Sequence, residues 1–445
     1  MSPVTGRKAT ARAPHPLRAE AVRGFAPWAG AAVLLTLGVT LAATADRWQG
    51  GWAETAAELH TTLLIAFPLA LAAGCWQGGR ERRRRTAELW GTTVRPPLTR
   101  LLVPALPVAL WVSAGYLVTV AAALLATWPY AQGDVPRPVL LPGDTVALGA
   151  GALAGHVVGR IVPSRLAAPL LAMAGYLGLG TLAADGGPSV ARPLSPAALV
   201  QAGEVPVWWQ PWAMAAWTAG LACAAALGYA ARRRVTAVLP LAAALAAGTL
   251  LAQTGDGLWH ADPLARRQVC DTSTTPAVCV NARYAGMLPQ VRDALSGVTG
   301  KLRGVRNLPA RWEDREGGSR PDEAQLPMLT PIGWTAVRGR LTDPAEFAWE
   351  AVGALRLRGD CPDERLTDRV LRADEVVAHY LAPMPGQQEH DEAYARGDAA
   401  HRAELRARRA AAARFAALTG KERRAWLSAY FGARDRCDDK GVPAL

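Results

Sequence analysis

The chain has 445 residues, 51% of them hydrophobic, and a formal net charge of +12. Residues 1–251 hold 20 Lys+Arg against ten Asp+Glu, whereas residues 252–445 hold 29 against 27. The positive excess therefore sits in short loops between apolar blocks, and the near-neutral remainder has no net pull on a phosphate backbone. This excludes nucleic acid as a partner and implies a lipid bilayer.

A helix needs about 20 apolar residues to cross the hydrocarbon core. After a basic segment at 1–24, seven stretches meet that demand: 25–45, 58–76, 101–128, 140–162, 166–184, 208–230 and 235–251. The first is too long for the apolar region of a signal peptide and is read as an uncleaved anchor. The fourth is the weakest helix former, because Gly143, Gly149, Gly151, Gly155 and Gly159 fall inside it, although small residues also let membrane helices approach closely. Glu58 and His60 fall near the outer end of the second stretch and His156 within the fourth. Ionisable groups at that depth are expensive and often functional. Trp48, Trp52, Trp128, Trp208, Trp209 and Trp212 mark outer boundaries in the manner of an aromatic belt.

Lys and Arg fix the expected orientation. Seventeen lie in the N-terminal segment and alternate loops, and three (Arg47, Arg137, Arg192) in the opposite loops. The N-terminus is then cytoplasmic, and after an odd number of spans residues 252–445 lie outside. Cysteine usage agrees with this topology. Cys75 and Cys223 fall in spans, while Cys270, Cys279, Cys361 and Cys437 fall in the region placed outside, where two disulfides are expected. Three connectivities are open. Cys270 with Cys279 is the local choice and would leave Cys361 for Cys437. A zinc site is disfavoured by the absence of Cys-x-x-Cys spacing.

The loop after the second stretch reads Gly78-Gly79-Arg80-Glu81-Arg82-Arg83-Arg84-Arg85-Thr86-Ala87-Glu88-Leu89-Trp90. Thr92-Thr93-Val94-Arg95-Pro96-Pro97-Leu98-Thr99-Arg100 follows just before the third. Physically this is a charged elbow that can lie at the interface with its arginines near anionic headgroups. It resembles the elbow after the second span of type-2 ABC transporter permeases, and the span order over 25–230 agrees with that family's membrane unit. The resemblance implies a surface at Arg80, Arg82, Arg83, Arg84, Arg85, Glu88, Leu89 and Trp90 that couples to an ATPase on a separate chain, within a homo- or hetero-oligomer. It does not extend to residues 235–445.

Residues 252–445 are long enough for one domain. Helices are expected over 346–358 after Asp343-Pro344, over 363–381 and over 392–418. A last helix should open at Thr419-Gly420-Lys421-Glu422, a capping box, with Trp426, Leu427, Tyr430 and Phe431 on its apolar face. Short strands are expected at 277–280 and 335–337. The expected fold class is mainly α: a polytopic helical membrane domain of about seven spans (25–251), followed by an extracytoplasmic, mostly helical α+β domain (252–445).

No Gly-x-x-x-x-Gly-Lys-Ser/Thr loop, His-Glu-x-x-His or Gly-x-Ser-x-Gly is present. His379, His390 and His401 are read as surface residues, since eleven positions of helix set the last two roughly 16 Å apart. No catalytic residue, cofactor or metal is expected, and the chain is not read as an enzyme. The expectation is a permease-like membrane subunit of an ABC-type export system in a bacterial membrane. The alternative is a non-transport anchor displaying an extracytoplasmic sensor or interaction domain.

Overall fold

The computed structural model describes residues 16–85, 95–183, 191–315, 317–330, 335–356 and 367–445. The chain is mainly helical and divides into two compact units. The first comprises Met1–Ala45, Thr55–Ala126 and Arg137–His260. The second comprises Asp46–Glu54, Thr127–Pro136 and Ala261–Leu445. Two short segments that lie between apolar stretches in the sequence thus belong to the second unit.

Besides one helical turn at Ala45–Trp48, the α-helices of the first part of the chain are α1 (Pro16–Arg23), α2 (Ala26–Ala43), α3 (Trp52–Thr61), α4 (Leu63–Gly78), α5 (Arg80–Arg83), α6 (Pro97–Thr127), α7 (Leu141–Ile161), α8 (Ala167–Ala183), α9 (Gln210–Ala230) and α10 (Val238–Thr254). Five stretches among the described residues are long and apolar enough to cross a membrane: Ala26–Ala43, Trp52–Gly78, Pro97–Thr127, Gln210–Ala230 and Arg234–Leu258. Two of the seven expected stretches fall outside that set. Helix α8 is 17 residues long. Helix α7 has the length, at 21 residues, but carries Asp144 and Arg160 and is diluted by five glycines.

Those glycines have a packing reason. A Cβ on Gly155 would stand 2.1 Å from the carbonyl oxygen of Leu71, and one on Gly159 2.1 Å from that of Cys75. From the other side, a Cβ on Gly74 would stand 1.9 Å from the Ala152 oxygen, and one on Gly78 2.2 Å from that of His156. Helices α4 and α7 therefore meet backbone to backbone, which only small residues permit. The lost helix propensity is offset by dispersion contacts along the whole seam. Gly30 of α2 and Gly115 of α6 make a second close approach: a Cβ on Gly115 would lie 2.4 Å from the Gly30 oxygen.

The second unit is built on a four-stranded sheet of β1 (Gln268–Asp271), β2 (Ala277–Asn281), β3 (Arg311–Glu313) and β4 (Glu323–Gln325), in that order. The β1/β2 pair is antiparallel and sets Cys270 opposite Cys279, while β2/β3 and β3/β4 are parallel. Around it lie α11 (Leu288–Leu302), α12 (Pro344–Arg356), α13 (Asp368–Leu381), α14 (Pro385–Ala395), α15 (Ala399–Ala417) and α16 (Gly420–Asp435). One core joins Val278, Val280 and Trp312 of the sheet to Val291 and Leu295 of α11, Phe347 of α12, Phe415 of α15 and Phe431 of α16. Trp312 is fully buried, and its indole N–H donates to the Ala351 carbonyl at 3.2 Å.

Local chemistry sets the helix starts. Asp343 accepts from the amides of Ala345 and Glu346 at 2.8 and 3.1 Å, capping α12. The capping box of α16 is complete, with Thr419 accepting from the Glu422 amide and the Glu422 carboxylate accepting from that of Thr419. The single helix expected over 392–418 is instead two, α14 and α15. The chain leaves the helix at Arg396-Gly397, and Asp398, in an extended conformation, caps a new one by accepting from the Ala400 amide. Helix α11 was hidden by the proline and glycine content of its region. Its signal is the spacing of Val291, Leu295, Val298 and Leu302, all buried on one face.

Candidate functional site

Within the first unit, three titratable side chains from three helices meet away from solvent. His60 comes from α3, Tyr116 from α6 and Asp144 from α7; their exposures are 5%, 0% and 4%. His60 Nδ1 lies 3.0 Å from Asp144 Oδ1, and His60 Nε2 lies 3.1 Å from the carbonyl oxygen of Ala198. The Tyr116 hydroxyl donates to Asp144 Oδ2 at 3.0 Å. Both carboxylate oxygens are thus engaged, as a buried acidic group requires. A cavity of about 20 Å³ adjoins the cluster, lined among others by His60, Asp144, Ser195 and Gln210.

His60 was singled out by sequence as lying near the end of a span. Helix α3 starts at Trp52, so His60 is in its last turn and the apolar α4 continues beyond it. Its neighbour Glu58 accepts a 2.8 Å hydrogen bond from the Thr44 hydroxyl. Asp144 and Tyr116 were not anticipated. The available signal was that Asp144 is the one acidic residue of the 140–162 stretch. His156 is buried at the α4/α7 seam, 1% exposed, and its ring nitrogens make no hydrogen bond to a described residue.

The basic elbow is braced rather than splayed. Arg80 makes 2.7 and 2.8 Å contacts to the Glu20 carboxylate of α1, and Arg160 of α7 pairs with Glu81 at 2.7 Å. Arg82 donates to the Arg160 carbonyl. Arg83 donates to the Trp76 carbonyl and lies 3.9 Å above that indole ring, a cation–π contact. Arg84 and Arg85 are exposed. Glu88, Leu89 and Trp90 lie outside the described residues.

In the second unit a disulfide joins Cys270 to Cys279. Cys437 is also disulfide-bonded, and Cys361 lies outside the described residues. Cys75 and Cys223 are free thiols. His379 lines a cavity of about 180 Å³ with Trp349, Glu375, Met384 and Arg408. The Tyr394 ring stands between His390 and His401, 6.5 and 4.5 Å from them. No group of three or more His, Cys, Asp or Glu is placed to hold a metal ion among the described residues.

A second buried ionic cluster escaped the sequence reading. Arg283 Nη2 donates to Glu54 at 2.7 Å, and the Tyr284 hydroxyl donates to the same carboxylate. Asp134 accepts from the amides of Trp52 and Ala53 at 2.8 and 3.0 Å. Burial and the neighbouring negative charge of Glu54 push Asp134 up to about 6, against the pull of Arg283.

Comparison with family models, with curated proteins and with solved structures finds no match for this chain.

Proposed function

We propose that this protein is the membrane-spanning, permease-like subunit of an ABC-type export system, energised by an ATPase on a separate chain. The observation that carries the reading is the elbow at the end of α4. Its arginines are braced by α1 through Glu20 and by α7 through the Glu81–Arg160 pair, while Arg84 and Arg85 stay exposed. A free charge run would serve only to orient the chain. A braced one transmits force, because a push on α5 is delivered to α4 and, through the glycine seam, to α7. In the topology we propose, seven stretches cross the bilayer, the N-terminus is cytoplasmic and residues 252–445 are extracytoplasmic. The asymmetry of 17 against three basic residues supports that orientation, and the Cys270–Cys279 disulfide supports an oxidising compartment.

A second reading is favoured by the second unit's own core and by its cavity of about 180 Å³. On that reading the membrane part is an anchor and the external part a sensor. Purification of the tagged full chain from its native membrane in mild detergent, read by mass spectrometry, separates the two. The permease reading requires a stoichiometric ATPase subunit whose recovery falls when Arg84 and Arg85 are changed to Gln. Clean absence of an ATPase, with other membrane complexes intact, overturns it in favour of the sensor.

A further inference from the structure

His60 has acceptors at both ring nitrogens: the Asp144 carboxylate at 3.0 Å from Nδ1 and the Ala198 carbonyl at 3.1 Å from Nε2. A neutral imidazole carries one N–H and one lone pair, so it satisfies one of these contacts and sets its lone pair against oxygen at the other. The Tyr116 hydroxyl donates its hydrogen bond to the second carboxylate oxygen and leaves the histidine contact unaided. The arrangement closes in two ways. An imidazolium can donate to both acceptors, or a protonated Asp144 can donate to Nδ1 while Nε2–H donates to Ala198. Both ways hold one proton more than a neutral histidine beside a carboxylate, and both are net neutral. The form lacking that proton would leave a net negative charge on side chains at most 7% exposed, within an apolar helical unit.

Among the described residues that line the site, no further charged group offers compensation. Among the described residues that line the adjoining cavity, His60 and Asp144 are the titratable groups, with Tyr116 behind Asp144; the α9 and 193–198 sides present Gln210 and Ser195. Gln210 is 6% exposed, and its Oε1 has no hydrogen-bond partner among the described residues. The cavity, about 20 Å³, has room for one water of the kind that relays protons between buried groups.

We propose that His60, Asp144 and Tyr116 form a proton-binding site of the membrane unit, holding one proton per chain. Ala198 lies in a segment without regular secondary structure, so its carbonyl is the part of the site that can be withdrawn without breaking a helix. The proton is delivered to and taken from Nε2 when that carbonyl moves aside, passing to water at the Gln210 side. Proton occupancy is thereby coupled to the position of the 195–198 segment. The site does not rest on the permease reading, and an anchor or sensor would carry it equally.

The test is solid-state NMR on the full chain in lipid bilayers, with ¹⁵N-histidine and ¹³C-aspartate labels, at about pH 8.5, some two units above the ordinary histidine value. The chain has seven histidines, and His60→Gln assigns the signal of interest. We expect either a His60 with both nitrogens protonated or an Asp144 in its acid form. With Asp144→Asn, His60 should be the neutral ring in either case, and Tyr116→Phe should leave the proton in place. Should His60→Gln fail to fold, the Tyr116→Phe and Asp144→Asn shifts supply the assignment. A neutral His60 beside an ionised Asp144 in the unmodified chain at that pH overturns the proposal.

Discussion

The guanidinium of Arg283 stands 2.7 Å from the carboxylate of Glu54, a residue 229 positions earlier in the sequence, and both side chains are at most 3% exposed. Within the second unit this pair ties the Asp46–Glu54 segment to the 3-10 turn that follows β2. Removing one partner leaves the other charge buried and uncompensated, which costs about 3–5 kcal/mol. Arg283→Met should therefore lower the thermal unfolding midpoint of the full chain in detergent by several degrees. Glu54→Gln combined with Arg283→Met should recover much of that loss, because the buried charge is gone on both sides. A double variant no better than Arg283→Met would show that the contact is not energetically coupled.

Asp134 gives the same cluster a pH dependence. Its folded value is raised from 3.8 to about 6, so the fold prefers the protonated form. Its contribution is full below the unfolded value and is lost as pH rises through about 6, up to about 3 kcal/mol at 1.36 kcal/mol per unit. Asp134→Asn keeps the acceptor for the Trp52 and Ala53 amides and cannot ionise. Unfolding midpoints taken at about pH 4.5 and 7 should show the unmodified chain losing ground to Asp134→Asn at the higher value. Parallel curves for the two proteins would contradict the assignment.

The disulfide makes the topology measurable. Cys270 and Cys279 face each other across β1/β2, nine residues apart, and closing a loop of that size stabilises by about 2–3 kcal/mol in the chain-entropy account. If residues 252–445 are extracytoplasmic, intact cells treated with an impermeant reductant and then an impermeant maleimide should carry labels at Cys270, the exposed partner, while Cys279 is buried in the sheet. Cys270→Ser with Cys279→Ser should remove those labels. Labelling that requires lysis of the cells would put the unit on the cytoplasmic side.

The features legible in the sequence were those written in local chemistry. Hydropathy located the apolar helices to within a few residues, except that the second runs from Trp52 to Gly78 where 58–76 was expected and the last from Arg234 to Leu258 where 235–251 was expected. Asp343 and Thr419 announced α12 and α16, because a cap needs only residues three positions apart. The buried clusters were not legible, since they join positions far apart along the chain. His60 and Asp144 are 84 residues apart, and Glu54 and Tyr284 are 230 apart. No periodicity connects such positions, and a lone acidic residue in an apolar stretch says that a partner exists without naming it. The glycines of α7 were visible and ambiguous, because composition counts them against a helix while only a facing helix turns them into a surface.

That surface supports a prediction with an internal control. The Cβ of any larger residue at Gly155 would fall 2.1 Å from the Leu71 carbonyl oxygen, so α4 and α7 must separate to admit it. Backbone cannot rotate away as the end of a side chain can, and the neighbouring contacts at Gly74, Gly78 and Gly159 would be lost together. On Gly178, in the apolar helix α8, a Cβ meets nothing within 4 Å. Gly155→Val should therefore destabilise by about 1–3 kcal/mol or more, the cost of overpacking a filled interior, and Gly178→Val should change little. The readouts are the yield of monodisperse protein in detergent and the unfolding midpoint, compared at equal expression. Because α4 carries the elbow, Gly155→Val should also loosen the Glu81–Arg160 pair at the end of the same seam, raising hydrogen exchange over residues 79–85. Equal behaviour of the two valine variants would mean that α4 and α7 are held by something other than their glycines.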